Sequence, residues 1–198
     1  QGVQCENCHG PLADRAGTVL ENHAELATGD FVLESCANCH RDENLDPQFP
    51  ETLHAPQANL LNGEDGFEWG LIVNSTPHAA EVDERGCVTC HYPASSPLGG
   101  HTFAPDPVSC QSCHDEASGE DFDFVDSQMD TIEDLLAELR DELARATDED
   151  KLYANYWYAL YNATLIEKDG SRGAHNYLYT RALLELSIEG FEPSDQSP

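Results

Sequence analysis

Basic residues are scarce in this chain of 198 residues: nine Lys and Arg stand against 38 Asp and Glu, for a formal net charge of −29. That balance excludes a nucleic-acid ligand, because no basic patch exists to release counterions from phosphates. Long apolar runs are missing as well. No stretch approaches the about 20 apolar residues that a membrane-spanning helix needs, so no membrane span is expected. Apolar residues make up only 39% of the chain, below the about 45–50% of ordinary globular proteins. The length is that of about one domain. So few apolar side chains leave a thin protein core, and something other than side chains is expected to fill the interior. Methionine occurs once, as Met129, and lysine twice, as Lys151 and Lys168.

Cysteine, by contrast, is abundant and strictly patterned. The eight cysteines fall as Cys5-Glu6-Asn7-Cys8-His9, Cys36-Ala37-Asn38-Cys39-His40, Cys87-Val88-Thr89-Cys90-His91 and Cys110-Gln111-Ser112-Cys113-His114. Each is half of a C-x-x-C pair, and a histidine follows every pair. C-x-x-C-H is the attachment signature of c-type haem. Two thiols add to the two vinyl groups of one porphyrin, and the next residue reaches the iron from the same face through an imidazole. Zinc held by two C-x-x-C pairs is one alternative, and C-x-x-C disulfides are another. Neither requires the histidines. With nine histidines in 198 residues, four chance placements would occur on the order of 4 times in a million. The sequence therefore predicts four haem c groups. Their thioethers come from Cys5, Cys8, Cys36, Cys39, Cys87, Cys90, Cys110 and Cys113, which leaves no cysteine for a disulfide or a nucleophile.

His9, His40, His91 and His114 are the expected proximal iron ligands. Five histidines remain as distal candidates: His23, His54, His78, His101 and His175. A single methionine can serve one iron at most, so the composition fits bis-histidine ligation throughout. Four distal ligands are needed, and one histidine is surplus or intersubunit. The bland reading of any one of them is a surface or satisfied core histidine. Bis-histidine irons lack the methionine that raises the potential of other c-type cytochromes, so low potentials are expected.

The expected fold class is mainly α with extensive loops, few or no strands, and a C-terminal helical hairpin or bundle. Residues 1–114 form the tetrahaem-binding region, 115–126 an acidic connector, 127–190 a helical region with a haem ligand, and 191–198 a polar tail. Together they make one compact haem-cored domain. Ile132, Leu135, Leu136, Leu139 and Leu143 recur at helical spacing, and Asp130-x-x-Glu133 resembles a capping box. A second helix is expected over about 149–168, with Leu152, Tyr153, Tyr156, Trp157, Leu160 and Tyr161 on one side and Gly170 as its stop. A third covers about 173–188, with His175 on the face of Leu178, Tyr179, Ala182 and Leu186. The tyrosines at these spacings are read as packing rather than as an electron relay.

Thioether attachment in prokaryotes takes place outside the cytoplasmic membrane, so an extracellular or periplasmic location is expected. Gln1 lies four residues before Cys5, with no basic or apolar leader between them. The expectation is that a signal peptide has been removed or that upstream residues are missing.

Some of these residues resemble a known group. Gly2-Val3-Gln4-Cys5-Glu6-Asn7-Cys8-His9-Gly10-Pro11 resembles the opening motif of multihaem cytochromes related to pentahaem nitrite reductase and hydroxylamine oxidoreductase. The resemblance implies His23 as a haem ligand. Cys87-Val88-Thr89-Cys90-His91-Tyr92-Pro93 with His101-Thr102-Phe103 is similar to that group's CHMP…HTF element, with Tyr92 in the usual methionine's place. His175-Asn176 with Tyr179 and Leu183-Leu184 resembles its late helical ligand motif. Nitrite reductases of the group usually carry lysine in place of the motif histidine at the catalytic haem. Here every motif ends in histidine, and an iron with two strong axial ligands has no position for substrate, so an electron carrier is favoured over an enzyme.

Four haems on about 200 residues also resemble the tetrahaem subunits of extracellular cytochrome filaments. In such polymers a histidine of one subunit can ligate a neighbour's haem, and the surplus histidine fits that scheme. The resemblance implies self-assembly into a homopolymer that hands electrons to other redox proteins or extracellular acceptors. A discrete secreted or periplasmic tetrahaem carrier is the alternative, and a nitrite- or hydroxylamine-type reductase with one open haem is a weaker one.

The acidity is similar to that of halophilic proteins, and arginine outnumbers lysine seven to two. An ordinary solvated acidic surface, or recognition of a basic partner, are the other readings. Self-repulsion on this scale opposes compaction at low salt and is screened within a Debye length of about 10 Å at 0.1 M. The melting temperature is therefore expected to rise from low to molar salt; equal values by circular dichroism would remove the halophilic reading.

Overall fold

The computed structural model describes residues 36–37, 39–43, 45–70, 78–79, 87–91, 105, 107–111, 113–115 and 122–193. The chain divides into two compact units, Gln1–Cys39 with Ala79–Phe122 and His40–His78 with Asp123–Pro198. The helices are α1 (Gln57–Asn62), α2 (Val88–His91), α3 (Pro107–Gln111), α4 (Phe122–Arg145), α5 (Ala154–Asp169) and α6 (Tyr177–Gly190), with 3-10 turns at Pro50–Thr52 and Asp150–Leu152. No strand occurs among the described residues, so the fold is mainly α, as expected. Among the same residues, no helix is long and apolar enough to cross a membrane.

The first unit contains α2 and α3, which pack on each other. None of its described apolar side chains is buried. The second unit has a side-chain core, which corrects the expectation of an interior filled by something else throughout. There Leu53, Leu60, Ile132, Leu139, Leu143, Leu165, Ile166, Tyr179, Leu183 and Leu184 pack together. Each buried leucine or isoleucine contributes about 1.5–3 kcal/mol.

Helix α4 turns Ile132, Leu139 and Leu143 into this core, as the stripe predicts. Its start differs from the expectation: the helix begins at Phe122, so Asp130 and Glu133 sit inside it and cap nothing. Both carboxylates instead pair with Arg172, at 2.9 and 2.5 Å. A local capping pattern has been recruited by a cation 42 residues away.

Helix α5 is central. Ala159, Tyr161, Asn162, Ala163, Leu165, Ile166 and Asp169 are all buried, which leaves little solvent face. The stripe expected from Leu152 and Tyr153 is wrong, since they precede the helix and are 82% and 62% exposed. Gly170 stops α5 as expected, in the left-handed region at φ 71°, where glycine carries no Cβ penalty. Helices α5 and α6 form an antiparallel hairpin: Asn155 Nδ2 donates to the Gly190 carbonyl at 2.9 Å, and Asn162 Nδ2 to Ser187 Oγ at 3.0 Å.

One buried asparagine fastens the 40–70 segment to this hairpin, and another ties that segment to itself. Asn162 Oδ1 accepts from the Phe67 amide and its Nδ2 donates to the Phe67 carbonyl, both at 2.8 Å. Asn59 likewise accepts from the Asp42 amide and donates to the Asp42 carbonyl, both at 3.0 Å. Phe67 stacks on Tyr158 with centroids 3.4 Å apart. The Tyr161 hydroxyl donates to the Asp65 carbonyl at 2.9 Å, and that of Tyr179 accepts from the Gly66 amide at 2.8 Å. Burial raises both phenols above their usual range. The packing reading holds for these tyrosines.

Asn162→Ala would leave the half-buried amide and carbonyl of Phe67 without these partners. The expected loss is about 3 kcal/mol of unfolding free energy, read by chemical denaturation of the holoprotein.

Candidate functional site

Three of the four C-x-x-C-H motifs lie at least partly among the described residues. On one helical turn, positions i, i+3 and i+4 share a face. The motif thereby sets two thiols and an imidazole on one side. The structure coils the motifs in this way. The Cys39 amide donates to the Cys36 carbonyl at 3.1 Å, and the His91 amide to Cys87 at 3.0 Å. In the fourth motif, the Cys113 and His114 amides both donate to the Cys110 carbonyl, at 3.1 and 2.8 Å. Cys5, Cys8, His9, His23 and His101 lie outside the described residues.

Motifs distant in sequence meet in the first unit. The Cys36 thiol donates a hydrogen bond to the Cys87 sulfur. That bond, joined by burial, raises the Cys36 thiol far above the ordinary range. The same bond pulls Cys87 down to about 7, against the effect of burial. Burial raises the Cys90 thiol, and the neighbouring Cys110 and Cys113 raise it further. The second, third and fourth motifs therefore present their sulfurs to one another.

The described histidines differ in how their rings are held. His40 Nδ1 lies 3.0 Å from Gln57 Oε1. The Gln57 amide is oriented by its own Nε2, which donates to the carbonyls of Lys168 and Asp169 at 3.1 and 3.2 Å. Oε1 is thus the acceptor and His40 Nδ1–H the donor. His78 Nδ1–H donates to the Ala174 carbonyl in a short contact. His175 Nδ1 lies 2.5 Å from Oδ1 of Asp169, whose side chain is 1% exposed. A histidine that donates from Nδ1 carries its lone pair on Nε2, in the form that ligates a metal.

The position of His175 departs from the expectation. It precedes α6, which is capped by Asn176 with its side chain accepting from the Tyr179 amide. The buried face of α6 is Tyr179, Thr180, Leu183, Leu184 and Ser187, while Leu178 is 54% exposed. His54 is exposed on a loop fixed by the Asp42 carboxylate, which accepts from the His54 and Ala55 amides at 2.9 and 3.1 Å. Its ring has no hydrogen-bond partner among the described residues. Met129 is half-buried on α4. Sequence reasoning missed Gln57, Asp169 and Ala174. Gly170 and Gly173, flanking a short loop with positive φ at both glycines, were the available signal for the tight turn that gathers two of them.

These residues fit haem c. The sulfurs and imidazoles are arranged as pairs and single ligands, and the unit that holds all eight cysteines has no buried apolar side chain among its described residues. Among the described residues, no group of three or more His, Cys, Asp or Glu side chains is gathered as a metal cluster.

The family model for cytochrome c554 and c-prime matches residues 35–115, which contain three of the motifs. No curated protein matches the chain. Among solved structures, the chain is similar to the "Undecaheme cytochrome from S-layer of Carboxydothermus ferrireducens", with 25% identity and a TM-score of 0.69. The match covers 95% of this chain, and the chain spans 31% of that protein's length. These findings support a multihaem c-type cytochrome.

The thiol pairing has a consequence in the haem-free chain. The Cys36 hydrogen bond favours the Cys87 thiolate and disfavours that of Cys36, and the thiolate is the nucleophile. Iodoacetamide followed by peptide mass mapping is expected to label Cys87 well before Cys36.

Proposed function

We propose that the chain carries electrons through four covalently bound bis-histidine haem c groups, as the repeating subunit of an extracellular filament. The observation that carries the reading is the set of four C-x-x-C-H motifs, two of them joined by the Cys36–Cys87 hydrogen bond and a third near enough to act on Cys90. Bound haem supplies one-electron exchange between ferric and ferrous iron. The protein contributes tethers and ligands. The cysteine pairs fix each porphyrin, and His9, His40, His91 and His114 take the proximal positions. Motifs gathered in this way would bring the porphyrins they carry near one another, as electron hopping requires.

His23, His78, His101 and His175 serve as the distal ligands, and His54 is the surplus. The exposed, unoriented ring of His54 supports that assignment, against the fixed rings of His78 and His175. With every iron doubly ligated, no position remains for substrate, which favours a carrier over a reductase. The similar structure is an S-layer cytochrome, which supports a place at the cell surface. A proportional share of its eleven haems over 31% of its length is three to four.

Negative-stain electron microscopy of the secreted protein, at the salt of its growth medium, is expected to show long uniform fibres. Small particles alone would favour the discrete carrier. Carbon monoxide added to dispersed, reduced subunits is expected to leave the spectrum unchanged, in the parent protein and in His54→Ala. A change in the parent would indicate an open haem, and a change only in the variant would make His54 a ligand.

A further inference from the structure

The rings of His40, His78 and His175 are held by acceptors of unlike charge. His40 faces the neutral amide oxygen of Gln57, and His78 the neutral carbonyl of Ala174. His175 faces a carboxylate, Asp169, at 2.5 Å, with the Asp169 side chain 1% exposed. The second carboxylate oxygen accepts from the hydroxyl of Ser171 at 2.5 Å and from its amide at 3.2 Å. Ser171 Oγ in turn accepts from the His175 amide at 3.3 Å. Asp169, Ser171 and His175 thus close a ring of hydrogen bonds across the turn between α5 and α6.

An imidazole that donates to a carboxylate has its Nδ1 proton drawn outward, and electron density rises on Nε2. A more basic axial ligand stabilises ferric over ferrous iron, because the ferric centre carries the greater charge. Burial of the acceptor keeps this effect from being screened by water. We propose that Asp169 is a positioning residue that fixes the ring of His175 and holds down the reduction potential of the haem that His175 ligates. His40 and His78 face neutral acceptors instead, and the effect is expected at the haem that His175 ligates. The inference rests on the reading of His175 as an iron ligand.

The test uses the holoprotein with all four haems attached. Asp169→Asn keeps the size of the side chain and removes its charge. Spectropotentiometric titration is expected to move one haem component to higher potential and leave the others in place. Ser171→Ala removes a hydroxyl donor from the carboxylate and makes Asp169 a stronger acceptor, so the same component is expected to move lower. Shifts of opposite sign would not arise from a loosened loop. Potentials unmoved in both variants, or moved in one direction in both, would overturn the proposal. If Asp169→Asn fails to retain its haems, the downward shift in Ser171→Ala decides alone, and its absence overturns the proposal. His175→Ala separates the two readings. It is expected to open one iron to carbon monoxide; if all irons stay closed, His175 is not a ligand and the premise fails. If an iron opens while Asp169→Asn moves no potential, the premise stands and the role of Asp169 falls.

Discussion

An imidazole bound to iron at one nitrogen still swivels unless its other nitrogen is held, and the turn between α5 and α6 does the holding. The carbonyls of Lys168 and Asp169 orient Gln57, which takes the ring of His40. The Asp169 carboxylate takes His175, and the Ala174 carbonyl takes His78. The remaining architecture of the second unit places this turn. Arg172 ties it to Asp130 and Glu133 of α4, and Gly173 lies so close to Ile132 that a Cβ there would approach Cγ1 to 2.8 Å. The helical hairpin is a frame for hydrogen-bond acceptors as much as a hydrophobic core.

The two units solve the shortage of apolar residues differently. The second unit concentrates leucine, isoleucine and aromatic side chains from α4, α5, α6 and the 40–70 segment into one cluster. The first unit buries no apolar side chain among its described residues. Porphyrins tethered to its cysteines would supply apolar surface there, in a chain with 39% apolar residues. Charge follows a similar economy. Arg41, Arg140 and Arg181 pair with Glu64, Glu167 and Glu185, so much of the small cationic complement is committed within the chain.

What the sequence revealed follows from the range of the interactions involved. The haem motifs are legible because five adjacent residues hold all their chemistry. The stripe of Ile132, Leu139 and Leu143 is legible because a helix face repeats locally. The start of α4 was not, because Asp130 and Glu133 look like a cap until Arg172 arrives from 42 residues away. His175 was placed on a helix face because spacing alone does not show that Asn176 ends the turn and caps α6. Gln57 and Asp169 carry no pattern of their own. The role of Gln57 exists only once it touches residues 111 and 112 away in sequence, and Asp169 meets His175 six residues on only because the chain turns between them.

Surface loops are ordinarily where proteins accept insertions and deletions, since lengthening one costs little closure entropy. The turn from Gly170 to Asn176 is short, half-exposed and rich in small residues, and by that rule it is a place for variation. Its neighbours forbid this. One added residue would shift the Ala174 carbonyl and His175 relative to Asp169, and so unseat the supports of two imidazoles together. The turn is an exposed loop with the length tolerance of a core.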